Sequence, residues 1–269
     1  MNDPESERYL PVAEHAAREA AKILLSNLGR IDKGDIERKR AADFVTHVDK
    51  ESEEKIAEII KDALPTHRIL GEESGIHEAE GEYLWVIDPL DGTTNYIHSH
   101  PVFSISIALM KGREIVLGVI YDPLRDELFR AVRGGGASLN GKRLDISRSS
   151  VRLSDALIAT GFPFRSKEII DGYLGVFREV FLSCSDLRRA GSAALDLAYV
   201  AAGRCDGFFE IGLGLWDIAA GVLLVEEAGG VVTDFEGGDS YLKTGNIVAA
   251  PKEIHSKLVS FTRKVTEIL

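Results

Sequence analysis

The segment Leu84-Trp85-Val86-Ile87-Asp88-Pro89-Leu90-Asp91-Gly92-Thr93-Thr94-Asn95 constrains the fold more than any other part of the chain. Its apolar run reads as a buried strand and ends in two carboxylates three residues apart. Pro89 has no N–H for a sheet ladder, so the strand is expected over 83–88, with Asp88 where it leaves the core. In a straight strand, residues 88 and 91 would face opposite ways. A Pro-Leu-Asp-Gly turn folds them to one side. Two carboxylates so placed repel each other unless a cation lies between them. Gly92 lets backbone approach a ligand, and a helix starting at Thr93 would aim free N–H groups at the same spot. The segment therefore suits a hard divalent cation with a phosphate. The plainer alternative is an Asp-Gly turn capped by threonine.

Leu10, Ala13, Ala17, Ala20, Leu24 and Leu28 step by three or four and are followed by Gly29, which predicts an amphipathic helix with a glycine stop. Residues 30–47 are charged and aperiodic, which predicts a mobile loop. A second helix is expected over 49–63, then strands near 67–71, 83–88, 102–110, 115–121 and 127–132. Phe103, Ile105, Ile107 and Leu109 alternate with Ser104, Ser106, Ala108 and Met110, a period of two. Leu139-Asn140-Gly141-Lys142 predicts a hairpin turn, and Arg133-Gly134-Gly135-Gly136, which fits no nucleotide-binding glycine pattern, a surface loop. Beyond residue 154, strands (156–160, 186–190, 208–211, 247–250) alternate with helices (168–182, 192–203, 217–228, 252–268). The expected fold class is α+β, two sheets layered with helices. The first half (1–150) supplies a helix pair and an antiparallel sheet, the second (151–269) the alternating elements, and the two form one compact unit.

With 269 residues, 45% of them hydrophobic, the chain can bury a full core. No apolar run is long enough to span a membrane, and the polar, acidic start excludes an ordinary signal peptide. Two cysteines, Cys184 and Cys205, exclude a disulfide framework and predict a cytoplasmic setting in which both are small buried hydrophobes. The net charge of −11 argues against general affinity for nucleic acid or anionic membranes. It would also repel a phosphate ester unless cations occupy the site.

Further acids stand at strand ends and helix starts. Glu72 and Glu73 follow a strand in Gly71-Glu72-Glu73-Ser74. Asp49 opens the second helix after Thr46-His47-Val48, and Asp217 follows Trp216 at the head of another. Each is singly explained as a solvated loop acid or a helix cap. His98 and His100, close behind the central segment, are expected to be surface or packing residues.

Taken together, Gly71-Glu72-Glu73-Ser74, Asp88-Pro89-Leu90-Asp91-Gly92-Thr93-Thr94, Trp216-Asp217-Ile218-Ala219-Ala220-Gly221 and Glu227-Ala228-Gly229-Gly230 resemble the signatures of the inositol monophosphatase family, in order, over about residues 8–262. Asp186–Arg204 and Asp206–Leu213 are similar to the bacterial inositol-1-monophosphatases. The resemblance implies a layered α-β-α-β-α sandwich, the sugar phosphatase fold, that hydrolyses a phosphate monoester directly by water with two or three Mg²⁺ ions. By that analogy Glu72, Asp88 and the Leu90 carbonyl hold one ion, and Asp88, Asp91 and Asp217 a second; a third, weaker ion sits beside Glu72. Asp49 and Thr93 orient or deprotonate the water. Gly92 and Thr93 N–H groups grip phosphate, and Asp91, Gly191, Ser192, Ala193 and Glu210 hold the inositol. Chemically, hard Mg²⁺ suits such oxygen donors. The chain departs from animal members at Gly161-Phe162-Pro163-Phe164-Arg165, so no substrate contact is carried over there. Arg165, Lys167, Arg188 and Arg189 are expected to be ordinary surface charge rather than a second phosphate site.

The resemblance further implies a homodimer, lithium sensitivity and, among bacterial relatives, contact with the transcription machinery. Two functions follow: an inositol-1-phosphate phosphatase, with other sugar or nucleotide phosphates as rival substrates, or a protein that acts by contacting transcription factors. The acidic chain lacks a nucleic-acid footprint, so the second would run through protein contact.

Overall fold

The computed structural model describes residues 7–31, 34, 36–40, 43–163 and 167–266. Helix α1 (Leu10–Asn27) turns Leu10, Ala13, Ala17, Ala20 and Leu24 inward and ends before Gly29, which takes a positive φ. It pairs with helix α2 (His47–Ala63), whose N-cap is Thr46. Strands β1 (Ile36–Arg40) and β2 (Asp43–Thr46) form an antiparallel hairpin between them. The expected loop over 30–47 is therefore wrong. Its charged, aperiodic sequence carries no period-two signal; Val45 and Thr46 of β2 are buried beside the start of α2.

An eight-stranded sheet follows, built from β3 (Arg68–Gly71), β4 (Gly75–His77), β5 (Tyr83–Asp91), β6 (Ser104–Lys111), β7 (Glu114–Asp122), β8 (Glu127–Val132), β9 (Gly136–Leu139) and β10 (Lys142–Arg143). The order is β10-β9-β8-β7-β6-β5-β3-β4, and only β3 and β5 run parallel. The β9–β10 turn has Asn140 and Gly141 at positive φ, as an Asn-Gly hairpin requires. Helix α3 (Thr93–Ile97) is a short turn after β5.

The second sheet comprises β11 (Leu157–Thr160), β12 (Asp186–Arg188), β13 (Gly207–Glu210), β14 (Val231–Thr233) and β15 (Ile247–Ala250), in the order β12-β11-β13-β15-β14. Helices α4 (Ile170–Ser183), α5 (Ala193–Ala201), α6 (Leu215–Glu227), α7 (Tyr241–Thr244) and α8 (Lys252–Thr266) complete the chain. Three cores separate five layers. One lies between α1–α2 and the first sheet, one between the two sheets around α5–α6, and one between the second sheet and α4–α8. The expected α+β sandwich is present. β4, β14 and α7 are three or four residues long, too short for their periodicity to show. Among the described residues, no helix is long and apolar enough to cross a membrane.

Two details position the site. On β6, Ile105, Ile107 and Leu109 face α1–α2, while Ser104 and Ser106 reach towards α5 and α6, as the alternation predicts. On β5 the strand does not stop at Asp88 but runs to Asp91 through an irregularity. Asp88 pairs with Ser106 and Asp91 with Ser104, so three steps on β5 match two on β6. The extra residue is a bulge at Pro89-Leu90, where a missing N–H costs no ladder bond, and it brings both aspartates to the face that carries the serines.

Helix α6 lies close against its neighbours. A Cβ on Gly118 of β7 would come 2.8 Å from the Ala220 carbonyl oxygen, and one on Gly221 would come 2.5 Å from the Leu197 side chain of α5. Overpacking such a contact costs about 1–3 kcal/mol. Gly221→Val is therefore expected to lower the unfolding free energy from urea titration by about 1–3 kcal/mol; unchanged stability would show that α5 and α6 have slack between them.

Candidate metal centre and active site

The carboxylates of Asp88, Asp91 and Asp217 each offer an oxygen within 4.8 Å of the others, and all three residues are buried. Each sits on a regular element. Asp88 flanks the β5 bulge, and its Oδ1 accepts the Leu90 N–H at 3.0 Å. Asp91 ends the strand, and its Oδ2 accepts the Ser192 hydroxyl at 2.5 Å and the Ala194 N–H at 2.8 Å. Ser192 is the N-cap of α5, so that helix start holds Asp91. Asp217 is the third residue of α6, not its cap; its Oδ2 accepts the N–H of the capping Gly214 at 2.6 Å.

These acids open on a cavity of about 270 Å³. Glu72, Leu90, Gly92, Thr93, Gly191, Ser192, Ala193 and Glu210 line it with them. All the predicted site residues except Asp49 thus share one wall-to-wall cleft. Asp49 stands behind Thr93: the Thr93 hydroxyl lies 3.0 Å from Asp49 Oδ1 and 3.1 Å from the Leu90 carbonyl, and can donate to either. The other oxygen of Asp49 accepts both the N–H and the hydroxyl of Thr46, at 2.8 and 2.6 Å. Asp49 therefore closes the α2 capping box and holds Thr93 as well.

Burial first, then the nearby Glu72, Asp91 and Asp217 charges, pushes the Asp88 carboxyl well above the usual carboxylate range. Burial and the Asp217 charge push Asp91 up to about 7, against the hydrogen bonds from Ser192 and Ala194 that favour its charge. Burial also raises Asp49. The donors are all oxygens, crowded and desolvated, which is the set that a hard divalent cation fits.

Several further residues of the site have no role that the sequence alone assigns. Asn95 lines the cleft and donates its amide to the Val102 and Ala190 carbonyls at 2.7 and 2.9 Å, tying the loop after β5 to the loop before α5. Gly161 lines it too, where a Cβ would overlap the Glu210 carboxylate. On α2, Ser52 donates to the Pro89 carbonyl at 3.0 Å, and the Glu53 carboxylate accepts the Glu73 and Ser74 N–H groups, each at 2.8 Å. Asp49, Ser52 and Glu53 sit three and four residues apart among buried Val48, Ile56 and Ile60, and polar residues on an apolar helix face were the available clue.

Of the basic residues, Arg189 lines the cleft beside the Phe162 ring, Arg188 pairs with Asp186, Lys167 is exposed, and Arg165 lies outside the described residues. His98 and His100 are exposed, and both cysteines are free, Cys205 buried and Cys184 only half-buried.

The sequence model of the inositol monophosphatase family matches residues 5–267. The chain is 50% identical to Nus factor SuhB of Escherichia coli (strain K12) over 265 residues, 97% of this chain and 98% of that protein. The crystal structure of extragenic suppressor protein suhB from Bartonella henselae superposes with a TM-score of 0.92 at 43% identity, covering 96% of this chain and 99% of that one. The inositol monophosphatase from Anabaena (Nostoc) sp. PCC 7120 gives 0.85 at 42% identity, covering 96% of each.

The raised carboxyls set a pH dependence for the metal-free protein. Their folded pKa values lie above the unfolded ones, so the folded state binds more protons and stability falls as pH rises, for Asp91 between about 4 and about 7. Metal-free protein should melt at lower temperature at pH 8 than at pH 5.5, and Asp88→Asn should raise the pH 8 value by relieving repulsion. A melting temperature that is flat with pH and insensitive to this change would contradict the charge crowding.

Proposed function

Because the chain belongs to the inositol monophosphatase family, we propose that it is a Mg²⁺-dependent phosphatase that hydrolyses the phosphate monoester of a small polyol or sugar, myo-inositol 1-phosphate first. The observation that carries this reading is the buried meeting of Asp88, Asp91 and Asp217 oxygens beside the Asp49–Thr93 pair. Glu72, Asp88 and the Leu90 carbonyl would hold one ion and Asp88, Asp91 and Asp217 another, with a third, weaker ion by Glu72. Bound there, Mg²⁺ offsets the carboxylate charge, polarises the ester and makes water more acidic. The same charge balance would make Mg²⁺ a requirement for substrate binding, since the metal-free acids repel phosphate. Because the ligands come from both the 1–150 and 151–269 stretches, the two halves are proposed to work as one unit.

The chain's own groups do the rest. Thr93, donating to Asp49, keeps lone pairs free to accept a hydrogen bond from the attacking water. Asp49 is fixed on its second oxygen by Thr46 and raised towards working pH by burial, which suits it to take the proton through the threonine hydroxyl. Gly92 and Thr93 N–H groups would grip phosphate. Asp91, Gly191, Ser192, Ala193 and Glu210 would hold the alcohol half.

Two further readings have support. The name of the Escherichia coli relative, Nus factor, favours a second role through protein contact with the transcription machinery. Asp88→Asn separates the roles: lost turnover with the cellular phenotype kept would favour contact. The exposed Leu174, Phe181 and Leu182 on α4, with Phe177 stacked on Phe181, support a homodimer through that face. Sedimentation should then show Phe181→Arg shifting dimer to monomer, and a monomeric parent would end that proposal. Two free cysteines support a reducing, cytoplasmic setting; lithium inhibition is proposed on family grounds.

Activity should vanish in EDTA and return with Mg²⁺. Glu72→Gln, Asp88→Asn and Asp217→Asn should each lose most turnover, and Thr93→Val should lower kcat by about 10²-fold or more. Assaying inositol 1-phosphate against fructose 1,6-bisphosphate, 3′-phosphoadenosine 5′-phosphate, histidinol phosphate and NADP by kcat/KM decides the substrate. Full activity in EDTA, or wild-type rates in all the variants, would refute the reading.

A further inference from the structure

We propose that Glu53, assisted by Ser52, is a positioning residue that sets the cation affinity of the site by clamping the loop that carries Glu72. This rests on the metal-dependent reading above. Glu53 is 3% exposed. A carboxylate buried on the apolar face of α2 is costly unless its oxygens are satisfied. They are satisfied in one way: Oε2 accepts the Glu73 N–H and Oε1 the Ser74 N–H. Those are the two residues directly after Glu72. The N–H of Glu72 itself donates to the Ile87 carbonyl of β5 at 3.1 Å. Glu72 is thus fixed from the sheet on one side and from α2 on the other.

The surroundings are shaped for this clamp. A Cβ on Gly71 would overlap the Glu53 carboxyl group, so glycine at the end of β3 leaves room for it. Ser52, one residue earlier and fully buried, donates to the Pro89 carbonyl at the bulge between Asp88 and Asp91. Asp49, Ser52 and Glu53 project from one helix face. One rigid element therefore holds Thr93, the bulge and the Glu72 loop at once. Mg²⁺ tolerates little deviation from octahedral geometry, so fixed oxygens matter more for it than for larger cations. Loss of such supporting hydrogen bonds weakens metal sites by about 10–100-fold.

The test uses the full chain as wild type, Glu53→Gln, Glu53→Ala, Gly71→Ala and the Gly71→Ala/Glu53→Ala double variant. Mg²⁺ alone is titrated by calorimetry, and the urea stability of each metal-free protein is measured beside it. In Glu53→Gln the shape is kept, but one carboxylate oxygen becomes an amide NH₂ facing a backbone N–H. Its Mg²⁺ Kd should rise about tenfold or more, and the Mg²⁺ concentration for half-maximal turnover should rise with it. A wild-type Kd alongside lowered stability would make Glu53 merely structural and overturn the proposal. Should Glu53→Gln not fold, Gly71→Ala carries the test, since its methyl displaces the same carboxylate. The double variant should bind Mg²⁺ no worse than Glu53→Ala, and additive losses would contradict the clamp. If wild type itself takes up no Mg²⁺, the phosphatase reading fails instead.

Discussion

Mutual repulsion among buried carboxylates is the constraint on which the rest of this structure depends. Asp88, Asp91 and Asp217 converge in the interior, and Glu72 adds a fourth charge. Left alone they would spread apart or take up protons. They are held together by elements too stiff to yield: a strand bulge locked in an eight-stranded sheet, a serine-capped helix start on Asp91, and helix α6, packed against β7 and α5 through Ala220 and Gly221. The fold thus holds these acids together at a cost in desolvation and repulsion that proton uptake relieves in the metal-free protein and that a bound cation would relieve further.

The layers explain how so few loops suffice. The sheet between α1–α2 and α5–α6 exposes the end of β5 to both helix pairs. From one side α2 reaches Thr93, Pro89 and the Glu72 loop through Asp49, Ser52 and Glu53. From the other, the starts of α5 and α6 supply Ser192, Ala194 and Asp217. The clustered side chains therefore sit on helices and strands or, like the loop with Glu72, are tied to them, an arrangement suited to holding fixed charges.

Much of this was legible in the sequence, for physical reasons that differ by element. The alternation on β6 and the three-four spacing on α1 are burial patterns, and burial is what the chain encodes most strongly. Asp88 and Asp91 are visible because two carboxylates at the end of an apolar run invite a cation, whereas Glu72, Asp49 and Asp217, each explicable as a loop acid or a helix cap, stand out only through the family resemblance. The β1–β2 hairpin leaves no mark because its charged, aperiodic sequence carries no period-two signal. The strand runs past the expected end at Asp88 because a bulge accommodates the proline. The roles of Ser52, Glu53 and Asn95 are invisible in the sequence because their partners are backbone groups distant along the chain, which no local pattern announces.

The family places the chain in the phosphatase class, and the buried acids mark the proposed site. A crystal soaked in Mn²⁺, a substitute for Mg²⁺ with anomalous scattering, tests the central claim most directly. The account predicts anomalous peaks between Asp88, Asp91 and Asp217 and beside Glu72. A map with no peak within bonding distance of those oxygens, or with ions bound elsewhere, would contradict it.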